Sequence, residues 1–123
     1  MGKDDKLVKI AFYNSKYNSL LNVDYAPFPI YKSKGLLTHL INKKHFVAAK
    51  YIDYLPDIIN NPDYIGIHNG NIELIKCYKD NIFISIKLDV KKSKYYVATV
   101  FDVKKSKIDT YVRNGRLIKI DKK

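Results

Sequence analysis

Four segments in the second half of the chain alternate between apolar and polar residues, and this pattern restricts the fold more than any other feature. They span residues 64–68, 72–78, 81–90 and 95–103, and short polar connections separate them. Successive side chains of a β-strand point to opposite faces of its sheet, so alternation indicates strands with one buried face. Because the connections are too short for crossovers, the pattern predicts a four-stranded antiparallel sheet.

The region before these strands has the periodicity of α-helices. Four aliphatic residues fall on one helical stripe: Leu36, Leu37, Leu40 and Ile41. Ser33 precedes this segment and is a suitable N-cap, and we expect the helix to end near Lys43. A second helical pattern runs from 47 to 59, but Pro56 fits only the first turn of a helix. The pattern therefore predicts two further short helices.

The two ends of the chain are expected to add short elements. Residues 7–13 form a β-rich run and residues 17–23 are a second candidate strand, so residues 1–32 predict an N-terminal strand or hairpin. Ser106 is a candidate cap for a last helix over residues 107–113, and an extended segment follows it. We therefore predict an α+β fold in which N-terminal helices pack on one face of the sheet.

Length and charge indicate one basic domain. A chain of 123 residues is the usual size of a single domain, so we treat residues 1–123 as one. Lys and Arg total 23 against 12 Asp and Glu, and the net charge of +11 favours nucleic acid as the partner. No segment approaches the roughly 18 consecutive apolar residues of a spanning helix, so we expect no membrane role. Residues 1–9 are charged and lack the apolar run of a signal peptide, which favours a cytoplasmic location.

Several classes of site have no signature in the sequence. Cys77 is the single cysteine, which excludes an internal disulfide and any metal site built from several cysteines. The three histidines, His39, His45 and His68, are too scattered to indicate a metal site, and there is no glycine-rich phosphate loop. We therefore expect neither a metal nor another cofactor.

Two histidines and a lysine near the first predicted helix are candidates for chemistry. His39 and Lys43 lie four residues apart, so their side chains project together and away from the apolar stripe. An imidazole can exchange a proton near neutral pH, as cleavage of RNA at the ribose 2′-hydroxyl requires. His45 follows the expected end of the helix and is free to turn back toward His39 and share the acid and base roles. The alternative is that both are ordinary surface histidines.

A second candidate group lies on the predicted sheet. Lys87 is the only basic residue in its strand, and Ser85 is on the same face. A lysine on a rigid strand can stabilise the added negative charge of a pentacovalent phosphate. If residues 91–93 form the next loop, Ser85 pairs with Thr99 and Lys87 with Val97, which gives one polar patch. The alternative is a solvated face of a half-exposed sheet.

The remaining candidates are arginines. Arg113 and Arg116 are the only arginines among the 23 basic residues, and the others are lysines. Guanidinium groups bind phosphate bidentately, whereas ammonium groups do not. Both arginines are therefore candidates for holding a substrate phosphate.

Four stretches together resemble the phage-associated nucleases of the barnase/EndoU/colicin/RelE-like superfamily. They are residues 35–45 (GLLTHLINKKH), 58–66 (IINNPDYIG), 86–88 (IKL) and 97–100 (VATV). The resemblance covers residues 33–117 as a nuclease-like core. It implies helices on a four-stranded antiparallel sheet and metal-independent RNA cleavage by general acid-base chemistry, often in toxins, phage proteins or conflict systems. It also implies that His39 is the family's helix histidine and that Lys87 and Thr99 are its strand positions, while Lys44 stands where relatives more often have Arg.

These observations predict a metal-independent endoribonuclease, with RNA such as tRNA or mRNA as its partner. The expected catalytic residues are His39, His45, Lys87 and Thr99. The expected substrate-binding residues are Lys43, Ser85, Arg113 and Arg116. One alternative is a non-catalytic module that binds nucleic acid, and another is a protein that binds an acidic inhibitor such as an antitoxin or immunity protein.

Overall fold

A computed structural model describes residues 7–122, in which seven strands form one sheet and five helices pack against it. The strands are β1 (Leu7–Phe12), β2 (Pro29–Ser33), β3 (Tyr64–His68), β4 (Asn71–Cys77), β5 (Asn81–Asp89), β6 (Lys94–Asp102) and β7 (Leu117–Lys119). The helices are α1 (Asn18–Leu21), α2 (Leu36–Asn42), α3 (Phe46–Lys50), α4 (Leu55–Asn60) and α5 (Lys105–Arg113).

The strand order in the sheet is β1-β2-β6-β5-β4-β3-β7. The antiparallel meander β3 to β6 is confirmed, since each of its strands pairs with the next along the chain. The expectation of four strands is wrong, because β2 joins β6 in parallel and β7 joins β3. These pairings extend both edges of the meander with strands that are distant in sequence.

Helices α2 to α4 cover one face of the sheet. Apolar residues of the helices, including Leu36, Leu40 and Ala48, share a buried cluster with the inward-facing side chains of β5. The split of the second helical region is confirmed, because α3 and α4 are separate and Pro56 lies in the first turn of α4. Ser33 is not the N-cap of α2, because Gly35 holds that position. The Ser33 hydroxyl instead accepts a hydrogen bond from the Gly35 backbone N–H.

The predicted packing of helices on one face does not extend to α5, which packs on the opposite face. Its buried residue Ile108 packs in a second cluster with side chains from the other side of the strands: Tyr64, Ile75, Phe83 and Leu117. The helix starts two residues earlier than predicted, after Lys104 rather than Ser106, and it ends at Arg113 as expected. α5 therefore buries one part of a face that the alternation pattern predicts to be open.

The first segment differs from the prediction in two elements, one of which is β2, a strand that the sequence pattern does not predict. β1 is confirmed, but residues 17–23 do not form a strand; a 3₁₀ turn (Ser15–Tyr17) leads into α1. The Asn14 side chain accepts a hydrogen bond from the Lys16 backbone N–H and so starts the turn, and Asn22 ends α1 in the left-handed conformation. In the described residues, no helix has the length and apolar character needed to cross a membrane.

Candidate active site

The sheet face that carries α5 is covered only in part. α5 lies over Ile75 and Phe83, whereas residues farther along the strands, such as Lys87 and Thr99, are exposed. We call this region the open face and define it by residues of the meander and of the segment after α5: His68, Asn71, Glu73, Ser85, Lys87, Tyr96, Thr99 and Arg116.

The first row of the open face crosses the middle strands. Glu73 pairs with Ser85, and Ser85 pairs with Thr99, so the three side chains follow one another across β4, β5 and β6. Glu73 and Ser85 are only 4% and 6% exposed, and they are the two buried polar side chains of the described chain. A carboxylate at such a position needs strong hydrogen-bond partners, because burial penalises an uncompensated charge.

Arg116 supplies those partners to Glu73. Its Nε donates to Oε1 at 2.7 Å and its Nη2 donates to Oε2 at 2.6 Å, which is the bidentate geometry of a guanidinium and a carboxylate. The Tyr111 ring lies 4.1 Å from the guanidinium carbon and holds it from another side. The hydrogen bonds to Glu73 raise the pKa of Arg116, so the guanidinium is a fixed positive charge.

Gly66 allows Arg116 to lie this close to the sheet. Gly66 pairs with both Glu73 and Leu117, which places it directly beneath the segment that follows α5. A Cβ at position 66 would overlap the carbonyl oxygen of Arg116. Glycine is therefore required here by the close approach of two backbones.

The second row of the open face contains a histidine and a lysine. His68 pairs with Asn71 across a tight hairpin whose two turn residues, Asn69 and Gly70, are left-handed. Continuing the register of β4 and β5 places Asn71 beside Lys87, and Lys87 pairs with Tyr96. His68 and Lys87 are exposed. A general acid or base and a cation are thus available on one row.

A β-bulge in β6 sets which residues reach this face. Ser85 pairs with Thr99 as predicted, but Ile86 pairs with Val97, so Ala98 is an extra residue in the ladder. The predicted pairing of Lys87 with Val97 is therefore wrong, because the bulge shifts the register and brings Tyr96 opposite Lys87. As a result, Thr99 and Tyr96 lie on the same face although three positions separate them.

Comparison with known families gives this face a functional context. A family model described as phage-Barnase-EndoU-ColicinE5/D-RelE like nuclease 3 matches residues 8–110, from β1 into α5. The chain belongs to this nuclease family. The predicted resemblance is confirmed, and the match also includes residues 8–32 and ends before Arg113 and Arg116. No significant match was found among curated proteins or among solved structures.

The nuclease brings four of the predicted site residues together and separates the others. Ser85, Lys87, Thr99 and Arg116 lie on the open face. Arg113 is exposed at the end of α5, where its Nη2 donates a 3.4 Å hydrogen bond to the Thr110 hydroxyl. The two arginines predicted to hold a substrate phosphate thus lie in different surroundings, since Arg116 pairs with Glu73 and Arg113 does not.

The histidines predicted to carry proton transfer lie on the other side of the sheet. His39 and Lys43 are exposed on or just after α2, and His45 precedes α3. Both helices pack on the face that carries Ile84 and Ile86 rather than on the face of Lys87. The sheet therefore lies between the two groups of candidates in this nuclease.

Sequence reasoning missed Glu73 and His68. A signal for Glu73 exists, because it is the only glutamate among the 12 acidic residues and it interrupts an otherwise apolar run. Its partner Arg116 is 43 positions away, so the pairing has no local signal. His68 lies in a recognisable hairpin, but only the register of β3 to β5 places it in the same row as Lys87. Among residues 7–122, no group of three or more His, Cys, Asp or Glu side chains is arranged to hold a metal ion.

Proposed function

We propose that this nuclease is a metal-independent endoribonuclease whose active site is the open face. One observation carries the proposal: a carboxylate, a histidine, a lysine, a guanidinium group and two hydroxyls share one face of the sheet. These are the groups that acid-base cleavage of a ribose phosphate requires. The net charge of +11 supports a polyanionic substrate.

The proposed reaction needs a base, an acid and a stabilising cation. Glu73 takes the proton of the 2′-hydroxyl, and the 2′-oxygen then forms a bond to phosphorus. The bond between phosphorus and the 5′-oxygen breaks, and His68 donates a proton to that leaving oxygen. The products are a 2′,3′-cyclic phosphate and a free 5′-hydroxyl, and no further reactant is consumed.

The other residues of the open face have supporting roles in this proposal. Lys87 stabilises the extra charge of the pentacovalent phosphate, and Arg116 contributes the N–H groups that Glu73 does not use. Thr99 and Ser85 donate hydrogen bonds to phosphate oxygens. Diagonal neighbours on adjacent strands lie roughly 7–8 Å apart, which leaves room for a phosphate between Glu73 and His68.

The sequence-based assignment of proton transfer to His39 and His45 is the alternative site for the same reaction. It would place catalysis on the helical side of the sheet, with Lys43 and Lys44 as the neighbouring cations. A toxin or phage-conflict role, with an acidic antitoxin or immunity protein, is the biological setting that we propose from the family.

Incubation of RNA with the protein in excess EDTA tests the function. We expect cleavage to continue, to leave 2′,3′-cyclic phosphate ends, and to spare DNA of the same sequence, because DNA lacks the attacking hydroxyl. An absolute requirement for Mg²⁺, or equal cleavage of DNA, would contradict the mechanism. Tight RNA binding without cleavage would instead favour the non-catalytic binding module.

A further inference from the structure

Tyr96 lies next to Lys87 on the open face, and Tyr31 lies one strand farther away on the same side of the sheet. Tyr96 is the cross-strand partner of Lys87, and Tyr31 of β2 is the partner of Tyr96 in the parallel ladder. The two rings have centroids 6.4 Å apart and are tilted by 40°. Both residues are half-buried, so neither belongs to the fully covered core.

These rings differ from the tyrosines that form the core. Tyr95, the neighbour of Tyr96 in sequence, is 1% exposed, and its hydroxyl donates a 2.7 Å hydrogen bond to the Ala26 carbonyl. Tyr13 is similarly buried at 4% and donates to the Asn18 side chain. Packing and hydrogen bonding therefore account for Tyr95 and Tyr13. The more accessible positions of Tyr31 and Tyr96 leave their rings available to a ligand.

Basic residues lie beside the two rings. The ammonium group of Lys94 lies 5.2 Å from the Tyr31 ring centroid, and Lys9 of β1 is the cross-strand partner of Tyr31. The Lys9 ammonium group lies 5.0 Å from the Phe12 ring centroid, so Lys94 is the cation at the Tyr31 ring, while Lys87 and Lys9 flank the aromatic pair on the neighbouring strands. Cations and exposed aromatic rings in one groove are the combination that binds single-stranded nucleic acid, with phosphates at the cations and bases on the rings.

We propose that Tyr31 and Tyr96 form a base-stacking subsite for an unpaired nucleotide adjacent to the phosphate at Lys87. Strands are roughly 4.8 Å apart, so Tyr96 is one strand and Tyr31 two strands from Lys87. The subsite makes single-stranded RNA the substrate class. The inference rests on the proposed function, because it takes the open face to be the place where RNA is cleaved.

Duplex RNA does not fit this subsite. In a double helix each base stacks on its neighbours, so its faces are not available to a protein ring, whereas loops and unpaired ends expose them. Stacking on the rings uses the face of a base and makes no hydrogen bonds to its edge. The subsite therefore favours unpaired nucleotides without selecting a base strongly. The expected targets are therefore loops and single-stranded segments.

The test measures binding of a single-stranded oligoribonucleotide with 2′-O-methyl groups, which the enzyme cannot cleave. We expect wild-type protein to bind it more tightly than the same sequence in a duplex at equal salt. Tyr96→Ala should weaken single-strand binding by about 5- to 150-fold, the usual loss when one stacking ring is removed. Tyr96→Phe should bind like wild type, because stacking needs the ring and not the hydroxyl.

Tyr54→Ala is the matched control, since Tyr54 is 49% exposed and lies between α3 and α4, on the helical side of the sheet. The proposal is overturned if Tyr96→Ala binds like wild type while folded, if Tyr96→Phe loses as much as Tyr96→Ala, or if duplex binds as tightly as single strand. These outcomes are independent of catalysis, because the probe is not cleaved. Failure of the cleavage assay in EDTA would contradict the proposed function and leave the binding result unaffected.

Discussion

In the proposed mechanism, Arg116 has two tasks that use the same guanidinium group. A guanidinium carries five N–H donors, and Glu73 accepts from Nε and Nη2. The remaining donors are held in a fixed direction by the carboxylate and by the Tyr111 ring. A preorganised donor loses less conformational entropy when phosphate binds than a free arginine does. In the proposed mechanism, Glu73 thus supports substrate binding through Arg116 in addition to taking part in proton transfer.

At the residue scale, one pair of substitutions distinguishes the candidate site on the open face from the candidate site on the helical side. His68→Ala should reduce RNA cleavage by about 10²- to 10⁴-fold, the usual contribution of a general acid or base, whereas His39→Ala should leave it near wild type. Both histidines are exposed, so neither change leaves a core cavity and the thermal midpoint should hardly move. Single-turnover cleavage rates and thermal melts of both variants provide the measurement. The reverse pattern would place the active site on the helical side.

At the scale of elements, close contact between β3 and the segment after α5 fixes the site. Gly66→Ala should lower the free energy of unfolding by about 1–3 kcal/mol, because the added methyl group forces apart two backbones that are in contact. The same shift moves Arg116 away from Glu73, so cleavage should also fall. Gly35→Ala is the matched control, since a Cβ there would be 3.6 Å from its nearest neighbour. Equal denaturation midpoints for the two variants would show that Gly66 is not a close-packing position.

Local patterns predict the meander well because its pairings are between consecutive segments. β3 to β6 have the expected alternation and short turns, and the family resemblance, which rests partly on these strands, is correct. The pairing of β2 with β6 could not be predicted, because no turn or spacing links two strands that far apart. Residues 17–23 contain strand-forming side chains, yet the Asn14 side chain accepts a hydrogen bond from the Lys16 backbone N–H and starts a helical turn there, and the Asn18 side chain donates to the Tyr25 carbonyl.

The candidate site was predictable only in part, for a related reason. Ser85, Lys87 and Thr99 lie on two adjacent strands, so alternation and a short loop place them on one face. The Ala98 bulge was not predictable, and it decides that Tyr96 rather than Val97 meets Lys87. Histidine on an exposed helix face gives a clear sequence signal, but the signal does not tell which side of the sheet the helix covers.

At the scale of the whole molecule, excess positive charge should govern RNA binding. Each phosphate contact with single-stranded nucleic acid adds about 0.7 to the slope of log affinity against log salt. Lys87→Ala should reduce the slope for the uncleavable oligonucleotide by about that amount, whereas Lys43→Ala, on the helical side, should leave it unchanged. Titrations over a range of salt concentrations measure both slopes. A larger effect of Lys43→Ala would move the RNA path away from the open face.

The parallel pairing of β2 with β6 also affects the order in which the molecule is completed during synthesis. Tyr31 meets Tyr96, a separation of 65 residues (96 minus 31), and ribosomes add roughly 5–20 residues per second, so several seconds pass before β2 finds its partner. Arg116, the partner of Glu73, is synthesised later still. If the open face is the active site as proposed, a nascent chain that emerges beside ribosomal RNA has no assembled site until translation has passed Arg116.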